Sequence, residues 1–342
     1  MSLTQAIRTL AKYVFAPTPV ALKGSRRLRV DTAPLRAIDP LYGDFLIHPC
    51  VRYIPEGFAG HRWWMAVTPF PRIDDRYENP VLYYGEGEGP EPPRDWHFVG
   101  VVQPAYPKGY NADCNLFFDG KQLWIFWKET ETPNTTPESG FNCVMGRPFD
   151  GREFGPVKKF LDNPDTSANR MTAPVVLRLD GRVCLLATHY ERRVDDPVQP
   201  HGRSGLSLWT LDGDSLADGM FRWERDLPQD YPDWFDFWHA DFFEEAGRHW
   251  CVVTTERATH VLMGVSDDGL HYRLSPLPLL SKTGNLYTGM YKASVVVVEG
   301  KLHLFFPRKS LRGSRSEICC ASAGFGPLAR KLFINLQDMK FL

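Results

Sequence analysis

The sequence has no excess of charge of either sign and no long apolar run. Its 40 Lys and Arg residues balance 41 Asp and Glu residues, which leaves a formal net charge of -1. No global field therefore draws the protein toward nucleic acid or an anionic membrane. The chain also lacks the roughly 20 consecutive apolar residues that a membrane-spanning helix needs. We expect no nucleic-acid partner and no membrane span, so any charge that matters must act locally.

Cysteine is scarce, and its pattern argues against a disulfide-stabilised scaffold and against a cysteine metal site. The seven cysteines are odd in number and form no CxxC pair or metal-type cluster. Most of them lie in apolar runs, where a reduced cysteine packs as a small hydrophobic residue. This usage is typical of a reduced, cytoplasmic protein. Nucleophilic triads and phosphate-binding loops are absent as well, because the glycines of GEGEG at 85–89 alternate with glutamates that repel phosphate.

The first 27 residues differ in character from the remainder. Apolar residues recur at helical spacing from Leu3 to Val14, but Arg8 and Lys12 interrupt them. The stretch is too short and too charged to span a bilayer, and it lacks the continuous apolar segment of a secretory signal. We predict a helix and linker over residues 1–27 that pack on the rest of the chain. A helix that binds a partner or a peripheral surface is the alternative.

The remaining composition favours short strands separated by turns. Aromatic residues make up 13% of the chain, including ten Trp, and 28 Gly accompany 28 Pro. One hairpin pattern, ADCNLFFDGKQLWIFWKE from Ala112, recurs in copies that begin near residues 48, 112, 172, 239 and 292. Its anchor positions are 64, 61, 67 and 53 residues apart, namely Pro49, Asp113, Pro174, Asp241 and Ser294. This period is the size of a propeller blade.

A second strand pair lies between each hairpin and the next, so the pattern predicts four strands in each of five units. The predicted fold is an all-β, five-bladed β-propeller over residues 28–342, forming a single domain. A β-sandwich followed by a second β domain explains the strands but not their even spacing. Two segments are candidates for the outer strand of the last blade, which closes the ring: the one near Leu28-Arg29-Val30 and the C-terminal LFINLQDMKFL.

In a propeller, the start of the first strand and the end of the second strand of a blade lie on the same face. The strand starts carry His48, Asp113, Arg170, Thr172, His239, Asp241, Tyr291 and Lys292. The returning ends carry Lys128, Glu129, His189, Glu191, Glu256, Arg257 and Arg308. A solvated strand end explains each residue singly, whereas their convergence predicts a polar ligand site.

The blade-one segments HPCVRYIPEGFAGHRWWMAVTPFP and YENPVLYYGEGEG, together with NAD and HAD before two later strands, carry a resemblance to known proteins. Over residues 40–325 the sequence resembles the five-bladed propeller glycoside hydrolases, the superfamily that includes families 43, 62, 32 and 68. The resemblance implies hydrolysis of a glycosidic bond by rim carboxylates. At the start of the first inner strand, where families 43 and 32 carry an Asp, this sequence has His48-Pro49. In the third blade, which often carries an acidic residue in the family, it has Thr172-Ala173-Pro174. We therefore do not expect a conventional arabinanase or fructosidase.

Glycoside hydrolysis needs a carboxylic acid that protonates the leaving oxygen and a second carboxylate. We predict Glu256 as the acid, next to Asp241, with Asp113 as the base and Glu129 or Glu191 holding hydroxyl groups. Glu78 in YENP either reaches the rim or shapes a turn.

The cations Arg170, Arg257, Lys292 and Arg308 fit an acidic sugar or neutralise the acidic cluster. No cofactor is predicted, and a structural calcium ion or water near His239 and Asp241 is the alternative.

A non-catalytic carbohydrate-binding propeller is the alternative function. In that interpretation the carboxylates bind hydroxyl groups, and Trp234, Trp238, Tyr110 and Tyr287 stack on sugar rings. A propeller that uses its face as a scaffold for protein partners is a third interpretation. The sequence carries no indication of oligomeric state.

Overall fold

The computed structural model describes residues 29–30, 34–71, 74–87, 89–106, 109–131, 141–164, 169–192, 201–227, 237–255, 260–275, 277–281, 291–309 and 316–333. Within these ranges, 21 strands form five antiparallel sheets. Each sheet is one blade, so the predicted five-bladed β-propeller is confirmed. No helix in these ranges is long and apolar enough to cross a membrane.

In each blade the first strand lies beside the central channel, and the following strands lie progressively further out. Blade one contains β2 (Leu46–Phe58), β3 (His61–Pro69), β4 (Val81–Gly85) and β5 (Trp96–Val101). Blade two contains β6 (Gly109–Phe118), β7 (Leu123–Glu131), β8 (Phe141–Phe149) and β9 (Lys158–Pro164). Blade three contains β10 (Asn169–Leu179), β11 (Arg182–Arg192), β12 (His201–Asp212) and β13 (Met220–Leu227).

Blade four contains β14 (Phe237–Glu245), β15 (Arg248–Thr255), β16 (His260–Ser266), β17 (Arg273–Leu274) and β18 (Leu280–Ser281), the last two both paired with β16. Blade five contains β19 (Ser294–Val298), β20 (Lys301–Lys309), β21 (Ser316–Gly324) and the first strand of the chain, β1 (Arg29–Val30). A 3-10 turn (Asp75–Tyr77) precedes β4, and helix α1 (Phe325–Leu332) follows β21.

The N-terminal segment closes the ring. Strand β1 pairs antiparallel with β21, with Arg29 opposite Ser322 and Val30 opposite Ala321. Of the two closing segments that the sequence left open, the one near Leu28-Arg29-Val30 is therefore used. The predicted helix over residues 1–27 lies outside the described residues.

Helix α1 was not predicted from the sequence, although its apolar residues have helical spacing. Phe325, Leu328, Ala329 and Leu332 are buried in the apolar cluster that joins blades four and five. Residues at i, i+3, i+4 and i+7 form one face of a helix. The helix therefore covers the junction where the last blade begins.

Aromatic side chains fill the wedges between neighbouring blades. The rings of Trp63 and Phe305 pack 6.3 Å apart between blades one and five, and those of Phe126 and Phe221 pack 6.4 Å apart between blades two and three. Trp63, Trp64, Trp127 and Trp250 are fully buried. Much of the aromatic content thus stabilises the core and is not displayed for sugar stacking.

Ring closure by β1 gives a test with a matched control. Deletion of residues 1–28 retains β1, whereas deletion of residues 1–30 removes it. We expect the longer deletion to lower the thermal midpoint by about 3 to 8 °C relative to the shorter one, because it exposes the edge of β21. Differential scanning calorimetry of both proteins measures this difference. Equal midpoints would show that β1 does not hold the ring closed.

Candidate active site

The inner strands of blades one, two and three share a bulge near their start. The pairing register with the next strand shifts between Ile47 and Cys50, between Ala112 and Asn115, and between Thr172 and Val175. Within these bulges His48, Asp113 and Ala173 have φ of 54°, 57° and 46°. Left-handed backbone is uncommon for residues other than glycine and concentrates at functional sites. The bulges bring His48 and Asp113, from different blades, into contact at one end of the channel.

Asp113 lies at the centre of this end of the channel, where imidazoles approach one of its oxygens. Its Oδ1 accepts a hydrogen bond of 2.8 Å from His239 Nε2, and His48 Nε2 lies 3.6 Å from the same oxygen. His239 belongs to β14, so blades one, two and four meet at this atom. All three side chains are buried, with no more than 2% of each residue exposed.

The other oxygen of Asp113 is held by blades two and three. Oδ2 accepts a hydrogen bond of 2.7 Å from the Thr172 hydroxyl and one of 3.2 Å from the Ala173 N–H. Lys128 Nζ lies 3.2 Å from Oδ2 and donates to the Thr172 hydroxyl. Burial acts to raise the pKa of Asp113, but Lys128 and His239 outweigh burial and hold that pKa well below its usual value. Asp113 is therefore an ionised carboxylate.

The two imidazoles are neutral at physiological pH. Burial lowers the pKa of His48 well below its usual value and lowers the pKa of His239, although Asp113 opposes the shift in both. His48 Nδ1 shares a hydrogen bond of 2.9 Å with the Thr68 hydroxyl. Among the described residues, His48 Nε2 and His239 Nδ1 have no hydrogen-bond partner. The ring of Tyr291 packs 5.0 Å from His48 and 4.9 Å from His239.

Glu78 brings a second carboxyl to the same place. It follows the 3-10 turn, and its carbonyl accepts a hydrogen bond of 3.2 Å from the Asn111 N–H, two residues before Asp113. The residue is 4% exposed, and its Oε2 has no hydrogen-bond partner among the described residues. Burial raises the pKa of Glu78 well above its usual value, and the negative charges of Asp75 and Asp113 raise it further. Two carboxyl groups whose pKa values are displaced in opposite directions are typical of acid–base sites.

The raised pKa of Glu78 predicts a pH-dependent stability. A carboxyl whose pKa is higher in the folded than in the unfolded protein costs stability as the pH rises from about 4.3 through the folded pKa. In this window the unfolding free energy of the wild type is expected to fall relative to Glu78→Gln by about 1.4 kcal/mol per pH unit. Urea unfolding of both proteins between pH 4 and 9 measures it. Parallel curves would mean that Glu78 ionises normally.

Asp241 lies deeper in the channel, away from this group. Its two oxygens accept hydrogen bonds of 2.8 and 3.0 Å from the Arg52 guanidinium, and the Ser294 hydroxyl donates at 2.7 Å. Arg52 also donates to the Leu116 carbonyl at 3.1 Å. The pair therefore connects blades one, two, four and five across the channel. These contacts engage Asp241 in holding the inner strands together.

Three other predicted residues are engaged in contacts within the protein, one between blades and two within a blade. Lys292 is buried and donates a hydrogen bond of 2.6 Å to the Cys114 carbonyl. Arg308 pairs with Glu317 at 2.9 Å within blade five. His189 shares a hydrogen bond of 2.7 Å with the Ser207 hydroxyl within blade three.

Some of the remaining predicted residues lie within the described part of the chain, and the others lie outside it. Glu129 is half-buried on β7, opposite Asn111. Of the proposed stacking residues, Tyr110 is buried, with the Lys128 ammonium 5.7 Å from its ring centre, and Trp238 is half-buried. Outside the described residues lie Glu256, Arg257, Trp234, Tyr287 and the side chains of Arg170 and Glu191. The role of Glu256 as acid thus stays a prediction.

The far ends of the inner strands form a different environment. Two adjoining cavities of about 220 and 330 Å³ share Phe117, Phe118, Leu177 and Phe242. These residues follow the channel residues of β6, β10 and β14 along each strand, so the cavities open on the opposite face. They contain none of the residues around Asp113. The polar group around Asp113 and the two cavities therefore occupy opposite ends of the channel.

Comparisons with known proteins identify the fold. No family model and no curated protein sequence matches the chain. An N-acetylgalactosamine deacetylase from F. plautii, solved with blood group B trisaccharide, superposes with a TM-score of 0.68 at 16% identity, covering 91% of this chain and 99% of that one. This chain and the deacetylase therefore share the propeller fold over almost their whole lengths.

Glycoside hydrolases share the same architecture. Zg3597, a family 117 glycoside hydrolase from Zobellia galactanivorans, gives a TM-score of 0.58 at 11% identity and covers 86% of this chain and 90% of that one. A GH43_1 enzyme from Xanthomonas citri gives 0.56 at 12% identity, with coverages of 85% and 89%. The chain therefore shares its five-bladed fold with these glycoside hydrolases, and these low identities establish the fold alone.

Proposed function

We propose that this protein is a carbohydrate hydrolase that cleaves a glycosidic bond, with Glu78 as the general acid. The observation that carries the proposal is the burial of the Glu78 carboxyl, which has an unpartnered oxygen and whose pKa burial raises well above its usual value, with the charge of Asp113 raising it further. A glycosidase acid must hold its proton near neutral pH until the leaving oxygen takes it. Burial and neighbouring negative charge supply this condition at Glu78.

Each group at this end of the channel then has a role. Glu78 donates its proton to the glycosidic oxygen as the bond to the anomeric carbon breaks. Burial raises the pKa of Glu78, and the charge of Asp113 adds to that rise. Asp113 also orients His239 by their hydrogen bond. Its own lowered pKa makes Asp113 a weak base, so the carboxylate that accepts the proton of the attacking water is Glu129 or Glu256.

A second candidate reaction is removal of an acetyl group from an N-acetylated sugar. Two observations favour it: the likeness in fold to a sugar deacetylase, and a centre that contains two neutral imidazoles around a single ionised carboxylate. Acyl transfer needs one group that moves a proton and donors that stabilise an oxyanion. Glu78 and the imidazoles supply both kinds of group.

The products separate the two reactions. The purified protein is incubated with a panel of neutral, acidic and N-acetylated oligosaccharides, and proton NMR follows the products. Cleavage of a glycosidic bond produces new anomeric signals, whereas deacetylation produces free acetate. New anomeric signals support the proposal, and acetate alone supports the second candidate. Absence of both products across the panel would favour a non-catalytic carbohydrate-binding propeller.

A further inference from the structure

Three potential metal ligands converge at the same end of the channel. One ligand atom each from His48, Asp113 and His239 lies within 4.8 Å of the others. The three residues come from β2, β6 and β14, so three separate blades supply them. Because all three are buried, this group differs from the exposed acidic clusters that are common on protein surfaces.

The spacing of these atoms is close to that around one bound ion. His48 Nε2 and His239 Nε2 lie 3.6 and 2.8 Å from Asp113 Oδ1. Ligands with bonds of about 2.1 Å to a common ion stand roughly 3.0 to 3.4 Å apart. The two distances to Asp113 therefore differ by about 0.2 to 0.6 Å from those in a coordination shell, and the two imidazole ligand atoms lie within 4.8 Å of each other. Coordination by His239 Nε2 places the proton of that neutral imidazole on Nδ1.

Neighbouring groups orient the ligands. Thr68 holds Nδ1 of His48, which directs Nε2 toward Asp113. Thr172 and the Ala173 N–H hold Oδ2 of Asp113, which leaves Oδ1 toward the imidazoles. Such outer hydrogen bonds to the ligands are a usual feature of metal sites.

Unpartnered polar atoms provide a second, independent indication. His48 Nε2 and Glu78 Oε2 are buried and have no hydrogen-bond partner among the described residues. Buried polar atoms are nearly always paired, so an unpartnered atom in a polar cluster is available to contact a bound ion or water. His48 Nε2 lies 3.6 Å from Asp113 Oδ1 and is one of the three potential ligand atoms.

We infer that His48, Asp113 and His239 bind one divalent transition-metal ion, of the zinc or manganese type, at this end of the channel. Two imidazoles and one carboxylate suit such ions, and three protein ligands leave positions open for water or substrate. Lys128 lies against Oδ2, so its charge is on the opposite oxygen from the ion. When bound, the ion would polarise an oxygen of the substrate or of water. Only this catalytic role rests on the proposed function; binding of the ion does not.

The test measures metal binding without any substrate. The full chain is stripped with EDTA and titrated with ZnCl₂ and with MnCl₂ by isothermal calorimetry, and bound metal is counted by mass spectrometry. We expect one ion per chain for at least one of the two metals. His48→Gln and His239→Gln are each expected to weaken binding at least 100-fold.

Two controls make the result decisive. His303 is a buried histidine of blade five that bonds Ser322, so His303→Gln is the matched variant and is expected to bind metal as the wild type does. Glu78→Gln is expected to keep the ion while losing turnover, which separates failure of the metal inference from failure of the proposed function. Circular dichroism confirms that each variant is folded. If the wild type binds no stoichiometric ion, or if folded His48→Gln and His239→Gln bind it equally well, the inference is wrong.

Discussion

Replacing Glu78 by Gln is expected to lower kcat on the substrate found in the glycan panel by about 10²- to 10⁴-fold, with little change in KM. The amide fills the same space but has no proton to donate to the leaving group, and general acid catalysis contributes rate factors of about this size. Steady-state kinetics of the wild type and the variant measure the ratio. A folded Glu78→Gln protein with wild-type kcat would remove Glu78 from the mechanism.

The pH profile provides the control for this prediction. Since the acid must be protonated, wild-type activity is expected to fall as the pH rises through the pKa of Glu78. Asp75, three residues earlier and only partly buried, raises that pKa by its charge. Asp75→Asn is therefore expected to stay active and to move the alkaline limb of the profile to lower pH. A limb that does not move would assign the titration to another group.

Replacing Arg52 by Met is expected to destabilise the protein by about 3 to 5 kcal/mol, the range found when one partner of a buried ion pair is removed. The substitution leaves the carboxylate of Asp241, 2% exposed, without its guanidinium partner in the channel. It also removes the hydrogen bond from Arg52 to the Leu116 carbonyl. Urea unfolding measures the change in unfolding free energy.

The double variant Arg52→Met/Asp241→Asn is the matched comparison. It removes both charges, and the amide oxygen still accepts hydrogen bonds from Ser294 and the Val295 N–H. We expect it to be more stable than Arg52→Met alone, because no unpaired charge stays buried. If the two variants are equally unstable, the loss comes from the packing of the Arg52 side chain and not from the ion pair.

The propeller was predictable because its signal is periodic. Five hairpins with an apolar interior and a glycine turn repeat at blade-sized spacing, and blades one to four each fold from a contiguous stretch of chain. The closing strand was not, since Arg29 and Val30 are too few residues to show a pattern, and their partner strand lies almost 300 residues away. Helix α1 has an apolar face at helical spacing, but it stands outside the repeated strand pattern.

The site was predictable in part for the same reason. His48, Asp113 and His239 occupy equivalent strand starts, so the topology alone brings them to one end of the channel. The role of Asp241 was harder to predict, because its partner Arg52 lies 189 positions away on another blade. The alternation of apolar and polar residues along a strand does not show which side chains of different blades are in contact. Glu78 was predicted only as a rim or turn residue, since its burial and raised pKa arise from the docking of its loop on β6.

The protonation state of Glu78 is the most direct test of the proposed chemistry, and it needs no substrate. Protein labelled with carboxyl-¹³C glutamate is titrated by NMR, with Glu78→Gln used to assign the resonance. We predict one side-chain carboxyl that titrates well above the other glutamates and disappears in the variant. If the resonance lost in Glu78→Gln titrates at the ordinary value for glutamate, Glu78 is not the acid and the proposed mechanism is wrong.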